Sequence, residues 1–293
     1  MFSQTKAKKF TLTSYTNKIN KASELINDAD NIIIGVGAGL TASGGINYLN
    51  TEHFKQYYPQ YYKQGYKNIM DVMGKKFWKI NEDNAQEYWT FWATHINHVR
   101  YQTGLLEPYK RLHDLIKDKN HFIISTNVDG QLEKAGFNKE KIFAPQGDYA
   151  YFQCSTPCTY DIYYNEKMIK TMLENKIDEY TIQKEDIPLC PKCGEYLIPN
   201  LRSDNTFVEK PHMENFPSYQ KYIDKIIDNN VVLLELGVGF NTPVIIRFPF
   251  EKLAEKYSNF SLIRVNLTEY ISNTNNLLEI NEDINKVLGD ILK

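Results

Sequence analysis

The sequence is short of most features that mark an extracellular, fibrous or membrane-spanning chain. Only four of its 293 residues are cysteine, too few for a secreted scaffold held by disulfides. No run comes near the ~20 apolar residues that a bilayer span needs; the longest, Ile32–Ile34 and Val231–Leu234, are strand-length. The lysine-bearing start MFSQTKAKKF is not followed by the ~7–15 apolar residues of a signal peptide, so a cytoplasmic protein is expected. Neither sign of charge dominates. The 34 Lys and Arg face 36 Asp and Glu, a net charge of −2, which leaves no basic surplus for a nucleic-acid backbone. Internal repeats and low-complexity tracts are absent. With 42% hydrophobic and 24% charged residues, the composition is that of an ordinary globular protein, neither disordered nor fibrous. The length suits one large domain or two modest ones.

What is present is a rhythm. Tyr15, Ile19, Ala22 and Ile26 recur at helical spacing. Asn31–Val36 is short, β-branched and glycine-flanked, the pattern of a buried parallel strand. Similar runs follow at His121–Thr126, Lys141–Ala144, Val231–Leu236 and Ser261–Val265, with helical patterns such as Pro108–Lys117 and Pro243–Lys256 between them. Strands separated by helices predict an α/β fold, a Rossmann-like parallel sheet with helices on both faces. Two stretches break the rhythm. Residues 47–104 hold all three tryptophans and one long helical stretch, Asn81–Tyr101, with no strand signal; residues 151–204 hold every cysteine. The expected organisation is a large domain of residues 1–46, 105–150 and 205–293. A helical module (47–104) and a cysteine-bearing module (151–204) then form a small inserted domain.

The first strand runs into GVGAGLTASGG (35–45), a loop whose backbone N–H groups can approach phosphate oxygens with no Cβ in the way. It does not satisfy G-x-G-x-x-G, and the acidic residue that holds a ribose about 20 residues later is missing; positions 55–62 read KQYYPQYY. A hydride-transfer dehydrogenase is disfavoured, and a variant dinucleotide site or a tight strand–helix turn remains. Cys154-x3-Cys158 and Cys190-x2-Cys193 form two close pairs, the second inside the knuckle CPKCGE. Two such hooks close a tetrahedral zinc site, and four thiolates leave no open position, so the zinc is structural. His95 and His98 lie i and i+3 on the predicted helix with no acidic ligand near, and are read as partly buried structural residues. The tyrosines at 57, 58, 61, 62 and 66 are read as helix packing with hydroxyls in water.

Taken in order, GAGLTASGGINY (37–48), STNVDGQLEKAG (125–136), PQGD (145–148), the cysteine pairs, ELGVGFNTP (235–243) and IRVN (263–266) resemble the sirtuin family over about residues 20–290. The resemblance implies an NAD-binding Rossmann-like domain, a small zinc-bearing domain, and NAD in the cleft between them. By it Gly37, Ala38 and Gly39 sit against the pyrophosphate, and Asn47 is also placed at the NAD site. Gly237, Val238 and Asn266 line the adenosine end, with Asp290 and Ile291 beside the adenine. Ordinary deacylating sirtuins carry His-Gly where this chain has Gln146-Gly147, and Pro-Asp-Phe-Arg where it reads Ile46-Asn47-Tyr48-Leu49. Their Gly-Thr-Ser is replaced by Gly237-Val238-Gly239. Gln146, Asn47-Tyr48 and Leu201-Arg202-Ser203-Asp204 are similar to the class M, macrodomain-linked sirtuins. That resemblance implies protein ADP-ribosylation of a lipoylated glycine-cleavage-H-like carrier, reversed by a separate macrodomain hydrolase.

The residues bear on the same choice. Asn127 and Asp129 follow a predicted strand at its carboxyl end, where α/β sites form. An amide and a carboxylate two residues apart can orient a nicotinamide amide and ribose hydroxyls, or simply make a turn. Breaking the nicotinamide–ribose bond creates an oxocarbenium-like centre, for which positioning and electrostatics matter most. Deacylation further requires a base that takes a proton from a ribose hydroxyl. Gln146 has no basicity near pH 7, although it can hold that hydroxyl. Transfer of ADP-ribose to an external nucleophile does not use that internal base. The expectation is an NAD-dependent protein ADP-ribosyltransferase in which Asn127, Asp129, Gln146 and Arg202 serve the reaction. Two alternatives stay open: a deacylase that recruits its base elsewhere, and a module that binds NAD or ADP-ribose without turnover.

Overall fold

The computed structural model describes residues 14–268, Thr274 and 276–293; the lysine-bearing start, residues 1–10, lies outside them. Its strands are β1 (Asn31–Val36), β2 (Asn120–Ser125), β3 (Ile142–Phe143), β4 (Gly147–Cys154), β5 (Tyr163–Tyr164), β6 (Leu197–Leu201), β7 (Val231–Leu236), β8 (Phe260–Asn266) and β9 (Leu277–Asn281). Six make a parallel sheet in the order β3-β2-β1-β7-β8-β9, and β5-β4-β6 make a small antiparallel one.

Side chains alternate across a strand, so the continuous apolar runs of β1 and β7 must be covered on both faces. Ile32, Ile34, Val36, Val232 and Leu234 pack under the helices Tyr15–Asp28, Glu107–Ile116 and Ile284–Ile291. Ile33, Val231 and Leu233 face Phe216–Ile226 and Arg247–Lys256 on the other side. The expected Rossmann-like sheet is therefore present. From β1 the chain builds outward through β2 and β3, then returns to add β7, β8 and β9 on the opposite side. The switch point falls between β1 and β7, where such sheets open a crevice at their carboxyl ends.

A second core joins the inserted segments. Phe54, Tyr58, Phe77, Trp89, Phe91 and Trp92 pack with Tyr149 and Phe152 of the small sheet; the Trp89 and Phe152 rings meet edge-on at 4.6 Å.

Element boundaries differ from the sequence expectation in ways that have local causes. The helix expected from Asn81 starts at Ala85, because Asn81 and Asn84 exchange side-chain-to-backbone hydrogen bonds of 2.8 and 3.0 Å in a preceding turn. It ends in a π-helical turn, Asn97–Gln102. The helix expected from Pro243 starts at Arg247, and the strand expected over Lys141–Ala144 narrows to β3. The small antiparallel sheet and β9 had no sequence signal assigned to them.

One buried polar cluster ties β7 to β8. Glu235 and Arg264 are register partners, and the guanidinium grips the carboxylate at 2.8 and 3.0 Å. Arg247 reaches the same carboxylate at 3.0 Å and the carbonyl of Val238 at 2.9 Å, while Glu251 accepts from Arg264 at 2.8 Å. All of Glu235, Arg247 and Arg264 are withdrawn from solvent. Removing one member of such a cluster is far worse than never having built it, since the remaining charges stay buried. Glu235→Leu is expected to cost about 3–5 kcal/mol in urea-unfolding free energy; a change under ~1 kcal/mol would show the cluster to be dispensable.

Candidate active site

The crevice at the switch point is closed by three glycines. Gly37 donates its N–H to the Leu236 carbonyl and Gly39 donates to that of Gly237, both at 3.0 Å. A Cβ on Gly37 would lie 2.5 Å from the Gly237 oxygen, and one on Gly39 2.6 Å from the Gly237 Cα. Gly237 itself has φ of +64°, and a Cβ there would lie 2.5 Å from Gly39. The loops after β1 and β7 thus touch backbone to backbone. The glycines serve the tight turn weighed from sequence, and by doing so they leave a helix start, Ala38–Ser43, facing the crevice. Val238 is pinned by two donors, Arg247 at 2.9 Å and the Asn266 side chain at 3.1 Å.

Beside these loops lies a cavity of about 560 Å³. Ala38, Gly39, Asn47, Asn127 and Asp129 line it together, with Tyr48, Leu49 and Met70 supplying apolar wall and Asn241 reaching in from the loop after β7. Asn127 and Asp129 are held by two residues that sequence reasoning missed. Asn127 donates its side-chain amide to the Gly37 carbonyl (3.0 Å), Thr41 Oγ1 (3.1 Å) and the Tyr109 hydroxyl (2.8 Å). Thr41 in turn donates to Asp129 at 2.6 Å, and the Gln131 backbone donates to its other oxygen at 3.0 Å. Burial pushes the Asp129 carboxyl above its usual range, and these hydrogen bonds to its charged form pull the other way.

Gln146 sits in a turn braced from both sides. The Arg202 N–H donates to the Gln146 carbonyl and its Nε to the Pro145 carbonyl, each at 3.0 Å. Its guanidinium pairs with Glu209 at 2.5 Å and lies over the Phe207 ring at 4.7 Å. On the other flank Arg100 pairs with Asp148 at 2.9 Å and with Glu133 at 2.8 Å. The Gln146 amide nitrogen is buried and has no hydrogen-bond partner among the described residues, and Gln146 is not among the residues that line the cavity. Asp290 accepts from the Tyr15 hydroxyl and from Lys293, each at 2.7 Å, and Ile291 packs in the core under the sheet.

Two sequence expectations, one on the histidines and one on the tyrosines, are corrected. His95 is fully buried, not partly, between the Tyr58 hydroxyl (2.7 Å) and the Tyr149 hydroxyl (3.0 Å). Tyr58 is likewise buried with its hydroxyl on protein, while Tyr57 and Tyr62 are exposed. His98 stacks on Tyr57 at 3.9 Å.

The four cysteines converge. Their sulfurs all lie within 4.8 Å of one another, with Cys154–Cys193 at 3.5 Å and Cys158–Cys190 at 3.6 Å. A zinc tetrahedron with ~2.3 Å Zn–S bonds has S–S edges of about 3.8 Å. Gly194, at φ +81°, turns the knuckle back so that its N–H meets the Cys190 carbonyl at 2.9 Å. The cluster fits a structural zinc at the end of β4.

No family model matches the chain. A protein ADP-ribosyltransferase of Staphylococcus aureus (strain Mu50 / ATCC 700699) is 30% identical over 275 residues, covering 92% of this chain and 85% of that protein. A probable bifunctional ADP-ribose hydrolase/ADP-ribosyltransferase of Fusarium oxysporum f. sp. cubense is 29% identical over 257 residues, 85% of this chain but 42% of the longer fungal protein. Among solved structures, Sir2Tm bound to a propionylated peptide aligns with a TM-score of 0.58 at 18% identity, over 94% of this chain and 97% of that one. A Sir2 homolog–NAD complex aligns with a TM-score of 0.57 at 14% identity, over 93% and 92%. At these identities the structural likeness shows a shared fold.

Two outcomes follow from the geometry. Gly237→Ala forces a side chain into the Gly39 backbone from a left-handed conformation. It is expected to cost about 1–3 kcal/mol and to weaken nucleotide binding, read by thermal melting and calorimetry. Purified protein is expected to release one zinc per chain to a chromogenic chelator on thiol modification, and Cys190→Ser to release none.

Proposed function

The chain belongs to the sirtuin family, as an enzyme of its NAD-dependent protein ADP-ribosyltransferase kind, and we propose that it acts as a class M sirtuin on a lipoylated glycine-cleavage-H-like carrier. Nicotinamide leaves with the bonding pair of the ribose–nitrogen bond. The acceptor nucleophile bonds to the same ribose carbon and gives up its proton. In this reading Asn127 and Asp129 organise the nicotinamide ribose, and Gln146 holds a ribose hydroxyl through its side-chain amide. Gly37, Ala38, Gly39 and Asn47 take the pyrophosphate side, with Gly237, Val238 and Asn266 at the adenosine end. Arg202 acts by fixing the Gln146 turn, with orientation of the acceptor as its proposed second role. A separate macrodomain hydrolase is the proposed partner for reversal, in keeping with the fungal relative whose name joins both activities.

The observation that carries the transferase reading is the chemistry of the cavity wall. Among the described residues lining it, only Asp129 and Tyr48 titrate. The Asp129 carboxylate is taken up by Thr41 and the Gln131 backbone. Burial holds the Tyr48 hydroxyl well above its ordinary value. His95, the nearest buried imidazole in the tyrosine cluster, is pushed down to about 3 by burial and cannot hold a proton at neutral pH. Deacylation needs a base beside Gln146, and in the adjoining cavity of about 640 Å³, which shares Asn127 and Asp129, Asp148 is taken up by Arg100 and His212 by Asn200. Transfer to an external acceptor makes no such demand.

The test is one reaction containing NAD, a lipoylated H-like carrier and an acetyl-lysine peptide, read by mass spectrometry. The carrier is expected to gain one ADP-ribose while the peptide keeps its acetyl group. Asn127→Ala is expected to lower nicotinamide release by about a hundredfold. Acetyl-ADP-ribose in place of modified carrier would establish a deacylase, and binding of NAD without nicotinamide release would establish a silent module.

A further inference from the structure

A chain of buried hydroxyls leads from the cavity wall into the helical module. Tyr48, whose ring lines the cavity, has its hydroxyl 3.0 Å from that of Tyr149. The Tyr149 hydroxyl is 3.0 Å from His95 Nε2, and His95 Nδ1 is 2.7 Å from the Tyr58 hydroxyl. Each member comes from a different piece of chain: the loop after the glycines, β4, the helix Ala85–Ile96, and the turn before Pro59. The imidazole is clamped by aromatic rings, parallel to Phe91 at 5.8 Å and edge-on to Trp92 at 5.9 Å and to Tyr48 itself at 5.2 Å.

A neutral imidazole has one donor and one acceptor nitrogen. One tyrosine therefore donates to the ring and the other accepts from it, and both nitrogens are used in either tautomer. Such a site has little freedom. Rotating Tyr48 away would strand the Tyr149 hydroxyl from one of its partners in a place without solvent. Conversely, nothing about helix packing alone calls for an imidazole here, where a Phe or Leu would fill the space without polar atoms to satisfy.

We propose that His95 is a positioning residue of the NAD site, fixing through Tyr149 the Tyr48 ring as a rigid wall of the cavity that receives the nicotinamide end. The inference rests on the NAD reading above. A planar cationic pyridinium gains from an aromatic wall held in place before it arrives. Because His95 touches neither the cavity nor the reacting atoms, its influence travels through the Tyr149 and Tyr48 hydroxyls and its edge-on packing against the Tyr48 ring, and not through proton transfer.

The experiment measures NAD kinetics and nicotinamide inhibition for wild type, Tyr149→Phe, His95→Phe and His95→Gln, with thermal midpoints alongside. Tyr149→Phe keeps the ring and deletes the link; it is expected to raise KM for NAD about tenfold while kcat changes less than about twofold. His95→Phe is expected to do the same, and His95→Gln, whose amide can stand in for Nε2, to recover most of the loss. If wild type turns over NAD and Tyr149→Phe keeps its KM, the inference is overturned and the functional reading survives. Equal impairment of His95→Gln and His95→Phe, tracking their thermal midpoints alone, also overturns it, because the role is then structural. A wild type that neither binds nor cleaves NAD overturns the functional reading and the inference together.

Discussion

The site depends on the backbone contact between the loop after β1 and the loop after β7. Gly37 and Gly39 meet Gly237 with no room for a Cβ on any of them. That contact brings the helix start at Ala38 and the Asn127 side chain to one crevice, since Asn127 donates to the Gly37 carbonyl. It also explains why polar residues are buried beneath the sheet. Arg247, held by Glu235, reaches up to the Val238 carbonyl and so stiffens the β7 loop from below. A purely apolar cluster would pack as well but would offer the loop no donor.

The large sheet was legible because its central strands are continuous apolar runs bounded by glycine, and helices separate them. The small antiparallel sheet was not. β5 is two residues long, and β4 and β6 are split by the cysteine knuckles, so no alternating run of useful length appears. β9 reads LLEIN inside an Asn- and Glu-rich stretch, too short to stand out. Within the site, the Asn127–Asp129 pair and the glycine loop were visible as motifs. Thr41 and Tyr109 were not. Tyr109 shares a helical face with Leu112 and Ile116 and looks like core filler until its hydroxyl is found on Asn127. The only signal was a hydroxyl at an otherwise apolar position. The sequence marks His95 only as a structural residue, because its hydroxyl partners come from segments distant in sequence.

What the structure adds to the motif is the state of the groups around Gln146. A glutamine in place of a histidine removes one base, and a nearby histidine or carboxylate restores that function in principle. Here the candidates are disarmed by their surroundings. Asp129 is committed to hydrogen bonds in the site, Asp148 is paired with Arg100, and burial makes His95 a very weak base within a ring of aromatic side chains. Meanwhile the Gln146 turn is held by Arg202 on one side and by the Arg100–Asp148 pair on the other. The position is fixed in space while being chemically inert to proton transfer. Such an arrangement favours holding the sugar and leaving the attack to an outside nucleophile.

The most direct measurement compares wild type with Gln146→His for formation of acetyl-ADP-ribose from NAD and an acetyl-lysine peptide. If the missing base alone separates transfer from deacylation, the wild type forms none and the variant gains the product. A wild type that deacylates the peptide as readily as the variant would contradict the account, because a base other than residue 146 must then serve the reaction.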